Sequence, residues 1–281
     1  MMKKKILNLL LASCMLIGSL RQAYSQNFEG IATYESSMDI GELSVMGQNM
    51  SPEMQESLTK QIAQQSQRTY KLTFNVREAN WKEEAELDPV TNSSSSGGMQ
   101  IRISSGGGVS YLNPGENTFL EETEIFGKKF LIEDELPTYK WTITNETKKI
   151  GDYNVVKAEF MNISEQTVMA LSDSEQTSET VMDTTMISAW YTPEIPVSQG
   201  PDNTWGLPGL ILELKRGEFT YLCTKVELNP ANAVTIEKPS KGKKVSREEA
   251  DKIRDERMQE MMKKYDTGED GSQRVIIRTG G

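Results

Sequence analysis

Four groups of side chains in this sequence could do chemistry, and one kind of side chain is missing. Acids cluster at Glu121-Glu122-Thr123-Glu124 and at Glu133-Asp134-Glu135, where paired carboxylates would suit acid–base work. Met46, Met50 and Met54 repeat every four residues, with Met38 upstream, and thioethers suit Cu(I). Asp266-Thr267-Gly268 is the triplet that carries the carboxylate of aspartic proteases, whose chemistry needs two such aspartates sharing a proton. Cys223 supplies a thiol. Histidine is absent from the chain. That removes the usual general base, the commonest transition-metal ligand and every triad built on imidazole.

Each group also has a plainer reading. Successive residues of a strand point to opposite faces, so neighbouring acids do not converge and read as solvated strand faces and loops. Pro52 interrupts any single helix through the methionines, which read as gap-fillers in a core. The Asp266 triplet occurs once and follows a helix, so Gly268 reads as a helix C-cap. The segment fails as a calcium loop, since Gly268 takes the third position and Ile277 the twelfth. Cys223 sits among alternating strand residues with no second partner and reads as a buried structural thiol. No catalytic residue, metal site or cofactor is expected.

The N-terminus has the three parts of a secretory signal: a basic start, an apolar stretch over residues 6–20, and Ala23-Tyr24-Ser25 before Gln26. Leu11-Ala12-Ser13-Cys14 resembles a lipobox, but the apolar run continues through Met15-Leu16-Ile17, so cleavage after Ser25 is expected over lipidation at Cys14. The mature chain is expected in the periplasm or secreted, with no transmembrane span. The full sequence has a net charge of −10. Loss of residues 1–25 removes Lys3, Lys4, Lys5 and Arg21 and no acid, which leaves −14. Such a chain repels phosphate backbones, so nucleic acid is excluded as a partner. One cysteine remains after cleavage, so the fold rests on its core without an intramolecular disulfide.

The elements that must position these groups are mostly strands. Phe28, Gly30, Ala32 and Tyr34 alternate with polar residues, as do Tyr70, Leu72, Phe74 and Val76, Trp141 and Ile143, and Val156, Ala158 and Phe160. One apolar and one wet face marks antiparallel strands. Phe126-Gly127-Lys128, Gly151-Asp152 and Gly217-Glu218 supply hairpin turns. The chain is thus predicted to be mainly β (α+β): a large curved antiparallel sheet of about ten to twelve strands, as a sandwich or open half-barrel, with two peripheral helices. One helix starts at Ser51-Pro52-Glu53. The other starts at the capping box Ser246-Arg247-Glu248-Glu249. Residues 1–25 read as signal peptide, 26–238 as the antiparallel β domain, and 239–281 as basic linker, charged helix and tail.

Backbone-opinionated residues crowd before an apolar run in "GPDNTWGLPGLILEL", Gly200 to Leu214. Leu207-Pro208-Gly209-Leu210 fits a type II turn with Gly209 at positive φ, and Gly206 adds a second permissive joint. Pro193, Pro196 and Pro201 forbid regular pairing upstream. Residues 193–209 therefore form a long connection, too apolar and proline-stiffened for disorder. It reads as an ordered flap packed by Trp190, Ile195, Val197, Trp205 and Leu207. The candidate binding surface is Trp190, Tyr191, Pro193, Pro196, Pro201, Trp205, Gly206, Leu207, Pro208, Gly209, Leu210 and Ile211.

These residues resemble the signature of the GLPGLI family of exported bacterial proteins, with the hexapeptide at Gly206 to Ile211. "YKWTITNETKKIGDYNVVKAEF" is similar to a second segment of that family. Members often carry a cysteine after the tyrosine, where this chain has Val155 and Val156. The resemblance implies an exported protein of unassigned role and supplies no catalytic residue. The leading expectation is a non-enzymatic envelope protein binding an apolar ligand or a partner protein on the concave face of its sheet. The alternatives are a carboxylate-only hydrolase of the glycosidase type and Met-based Cu(I) binding.

Overall fold

The computed structural model describes residues 28–39, 60, 63, 66–84, 108–172, 175–265 and 276–279. The signal segment, Met46, Met50, Met54 and the Asp266 triplet lie outside the described residues. Of the helix expected from Ser51, the described Lys60, Ala63 and Ser66 are helical.

Thirteen strands form one open, almost wholly antiparallel sheet. β1 (Glu29–Met38), β2 (Thr69–Asn75), β3 (Ala79–Glu83), β4 (Val109–Asn113), β5 (Thr118–Ile125) and β6 (Lys128–Asp134) form a meander. The second half holds β7 (Thr142–Ile150), β8 (Tyr153–Ser172), β9 (Glu175–Thr192), β10 (Leu210–Arg216) and β11 (Phe219–Leu228). Pairing of β1 with β11 joins the halves. β12 (Lys243–Val245) adds to β6 in parallel, so part of the expected basic linker is strand. β13 (Ile276–Thr279) and β7 share one edge of the long β8.

Period-two burial holds along β1 and β2 but not at Val76, which lies past the end of β2, nor at Ile143 of the largely solvent-exposed β7. Ala32 and Tyr34 of β1 and Tyr70, Leu72 and Phe74 of β2 face the core. The three short turns follow from glycine backbone freedom. Phe126 and Gly127 both have φ > 0 (48° and 78°), and Gly151 and Gly217 each have φ 55°, which matches the twist of the flanking strands. The predicted capping box is present: Ser246 Oγ accepts from Glu249 N at 3.1 Å, and Glu249 Oε2 accepts from Ser246 N at 2.9 Å. It opens α1 (Arg247–Tyr265), which is docked on the core through buried Ala250 and half-buried Ile253.

The sheet curls. Ser110 on β4 hydrogen-bonds Asn203 of the connection between β9 and β10. In the sheet order β4 lies five strands from β10, roughly 24 Å if flat. β10 is buried on both faces, because a bulge between Ile211 and Glu213 shifts its alternation. Leu210 and Leu212 enter the larger core, while Ile211 and Leu214 enter a second with Ala158, Phe160, Ile187, Ala189 and Tyr191. That is why its sequence is an unbroken apolar run.

Candidate functional site

Residues 193–209 form the expected flap, with Gln199 and Trp205 making its single bridge. An irregular segment must satisfy its backbone groups singly, and this one does. Leu210 N and Val197 N donate to Ile195 O, Ile211 N to Gln199 O, and Gly206 N to Ser198 O. Two indoles lock it to the β6–β7 connection. Trp205 Nε1 donates to Pro137 O at 2.9 Å, and Trp141 Nε1 donates to Trp205 O at 3.0 Å. Tyr34 Oη donates to Ile211 O at 2.6 Å and ties the flap's end to β1.

One expectation about this corner is overturned. Gly209 is not at positive φ; Gly206 is, at 100°. No left-handed conformation therefore calls for glycine at position 209, and the type II turn is not formed. The glycine answers a close approach instead. A Cβ on Gly209 would run into the Thr192 carbonyl and lie 2.9 Å from Pro193 N, where β9 and β10 begin to pair. Gly200 is held by the same logic, with a Cβ there 2.7 Å from the Ile211 side chain.

The structure divides the twelve candidate surface residues. Tyr191, Pro201, Leu207, Gly209, Leu210 and Ile211 are buried. Trp190 and Trp205 are half-buried, and the Lys148 ammonium lies 4.3 Å over the Trp190 ring. Pro193, Pro196, Gly206 and Pro208 are exposed. The buried Tyr191, Leu207, Leu210 and Ile211 pack into the two cores of the sheet.

What the flap builds at its tip is a polar cluster. Its tip folds back over β10, so that Asp202 Oδ2 lies 3.2 Å from Arg216 Nε and Thr204 Oγ1 accepts from Arg216 at 3.2 Å. Tyr139 also hydrogen-bonds Arg216. Around them stand Tyr221 and, on β5, Glu121. Burial pushes the Asp202 carboxyl up, against Arg216 and Arg247. It does the same to Glu121, against Arg247 and Arg254, and Asp202 adds to that rise. Tyr139 and Tyr221 are raised by burial as well. Burial works against the Arg216 charge, yet Asp202 and Tyr139 hold it above its ordinary value. Even so, the Asp202 and Arg216 side chains each keep 31% of their surface accessible.

Sequence reasoning missed this cluster. Arg216 reads as turn flank, Asp202 as one of several loop polar residues, and Glu121 as a solvated strand face. No local signal joins three residues from β5, the flap and β10. The reading of Cys223 does hold: it is buried, donates to Lys225 O, and burial pushes its thiol up to about 12. Among the described residues no group of His, Cys, Asp and Glu could hold a metal ion.

A family model covers this part of the chain. It is described as a protein of unknown function (Porph_ging) and matches residues 141–213, from Trp141 through the flap into β10. No curated protein matches. Among solved structures, two of PNGF-II are similar, in C2 and P21 space groups. They are 17% and 16% identical, with TM-scores of 0.44 and 0.45 over 80% and 82% of this chain. This chain spans about a third of that protein's length, 32% and 33% in the two structures.

Proposed function

We propose that this protein is an exported, non-enzymatic binding module of the cell envelope, related to the GLPGLI family. It meets a ligand or partner group with both hydrogen-bonding and apolar parts at the part-exposed cluster of Asp202, Arg216, Tyr139 and Tyr221. The carrying observation is the Asp202–Arg216 pair, 3.2 Å apart with 31% of each side chain still accessible, at the tip of a flap whose Ile195, Val197 and Leu207 are already packed. A pair so placed meets an incoming polar group without prior loss of much water, and the aromatic rings give it a flat apolar wall. This reading narrows the ligand away from a free lipid, for which an unfilled apolar groove is needed. Native mass spectrometry of the protein purified from its envelope tests it. A polar or amphipathic ligand should be retained by the unaltered chain and lost from Asp202→Asn and Arg216→Ala. Equal recovery of lipid from all three overturns it.

A second reading is favoured by one observation: Glu121 and Asp202 interact across the cluster, and burial raises both carboxyls. A hydrolase of the glycosidase type needs such a pair, with one acid and one base. Turnover of aryl glycosides lost in both Glu121→Gln and Asp202→Asn would establish it in place of the binding reading.

A further inference from the structure

The far end of the sheet carries a feature that neither the flap nor the polar cluster uses. β8 and β9 pair along their whole length, from Val156 with Tyr191 to Ser172 with Glu175. β10 pairs with β9 only over Ile187–Thr192. Among the described residues, the outer edge of β9 over residues 175–186 thus has no partner strand. That is about 40 Å of unpaired N–H and C=O groups. Natural edges of this length are blunted with lysine, proline or bulges, and residues 175–186 contain no lysine, arginine or proline.

Beside this edge lies an exposed apolar row. Met161 faces Met186 across the hairpin, Ile163 faces Thr184, and Met182 follows two pairs along on the same face. All four of these large apolar side chains are exposed by half or more. Stacked on one face of a described hairpin, they are a patch rather than scattered surface residues. The charge of the arm is one-sided. Residues 161–186 carry Glu165, Asp173, Glu175, Glu179 and Asp183 and no basic residue. Pairing with a second copy would set Glu175, Glu179 and Asp183 of one edge against the same acids of the other, which is unfavourable. The chain's own example of what this arm accepts is β13, whose Ile276-Ile277-Arg278-Thr279 pairs antiparallel with the opposite edge, on β8.

We infer that the outer edge of β9, residues 175–186, is a docking edge for an extended polypeptide segment of a partner protein that alternates basic and apolar residues. The segment adds as a further antiparallel strand. Its backbone satisfies the open ladder, its apolar residues cover Met182 and Met186, and its basic residues answer the arm's acids. Flexible thioether side chains suit a surface that moulds to its partner.

The test uses the full chain, in which β13 already occupies the β8 edge, with the labelled peptide KVTIKVT and its acidic counterpart EVTIEVT. The basic peptide should bind at least roughly tenfold tighter than the acidic one in low salt and lose that advantage as salt rises. It should also slow amide hydrogen exchange within residues 175–186. The double variant Met182→Ser, Met186→Ser should bind it roughly tenfold more weakly with an unchanged melting temperature, since both side chains are exposed. Equal binding of the two peptides, protection confined to other strands, or a dimer held through residues 175–186 in place of peptide binding would each overturn the inference.

Discussion

β9 ends in two opposite ways. Its C-terminal end runs into the flap of residues 193–209, which has almost no regular structure and buries Ile195, Val197, Gln199 and Leu207. Its other end is half of the β8–β9 arm, which is regular throughout and exposes Met161, Ile163, Met182 and Met186. Regularity and burial are separable. The arm's inner ladder pairs β8 with β9 along its whole length while the outer edge of β9 stays open, so the arm keeps its regular form with little help from the core. The flap has no such ladder and holds its shape through a few bonds of its own and through contacts with the rest of the molecule. Specificity of sequence should therefore be concentrated in the flap, and tolerance in the arm.

The sharpest way to break that contrast is at Gly209. Because a close approach and not a positive φ calls for glycine there, Gly209→Ala should cost about 2–3 kcal/mol, a fall of roughly 5–10 °C in melting temperature. Gly209→Asn should be no milder than Gly209→Ala. At Gly206, where φ is 100°, asparagine should instead be better tolerated than valine. Thermal melts of the four variants decide this, and a harmless Gly209→Ala would remove the close-approach argument.

Next in size is Trp205→Phe. It keeps a flat ring but deletes the indole donor to Pro137 O, leaving a shielded carbonyl unpaired. The expected loss is about 1–2 kcal/mol, read by denaturant unfolding, together with faster amide exchange at Gly206 and Ile211.

The polar cluster gives the flap a pH dependence. Glu121 and Asp202 are raised above 4.5 and 3.8, their ordinary values. The folded state therefore holds these protons longer than the unfolded chain. Their contribution to stability is full below those ordinary values and is lost as pH rises through the raised ones. Glu121→Gln should flatten this decline in urea midpoints measured upward from pH 4. An unchanged slope would mean that the carboxyl is not desolvated.

The smallest effect belongs to the arm. Met182→Ser and Met186→Ser should each change stability by no more than about 0.5 kcal/mol, as exposed positions do. A loss near that of Gly209→Ala would show that the arm is buried against a partner in solution and would erase the contrast.

By itself the sequence determined what depends on neighbours along the chain. Period-two alternation placed Tyr34, Leu72 and Phe74 inside, glycines 127, 151 and 217 marked the tight turns, and Ser246 with Glu249 marked the start of a helix. Proline spacing marked the flap, and the missing histidine narrowed its chemistry. Tertiary structure alone decided what depends on approach across space. Gly209 looked like a turn glycine until β9 was seen to press the Thr192 carbonyl against it. Glu121, Asp202 and Arg216 come from β5, the flap and β10, and no spacing rule connects them. Alternation says which face of a strand is apolar, but not how far a sheet curls or where a loop folds back. Those outcomes rest on register, bulges and packing summed over the whole sheet, so a polar cluster drawn from separate elements leaves no local trace in the sequence.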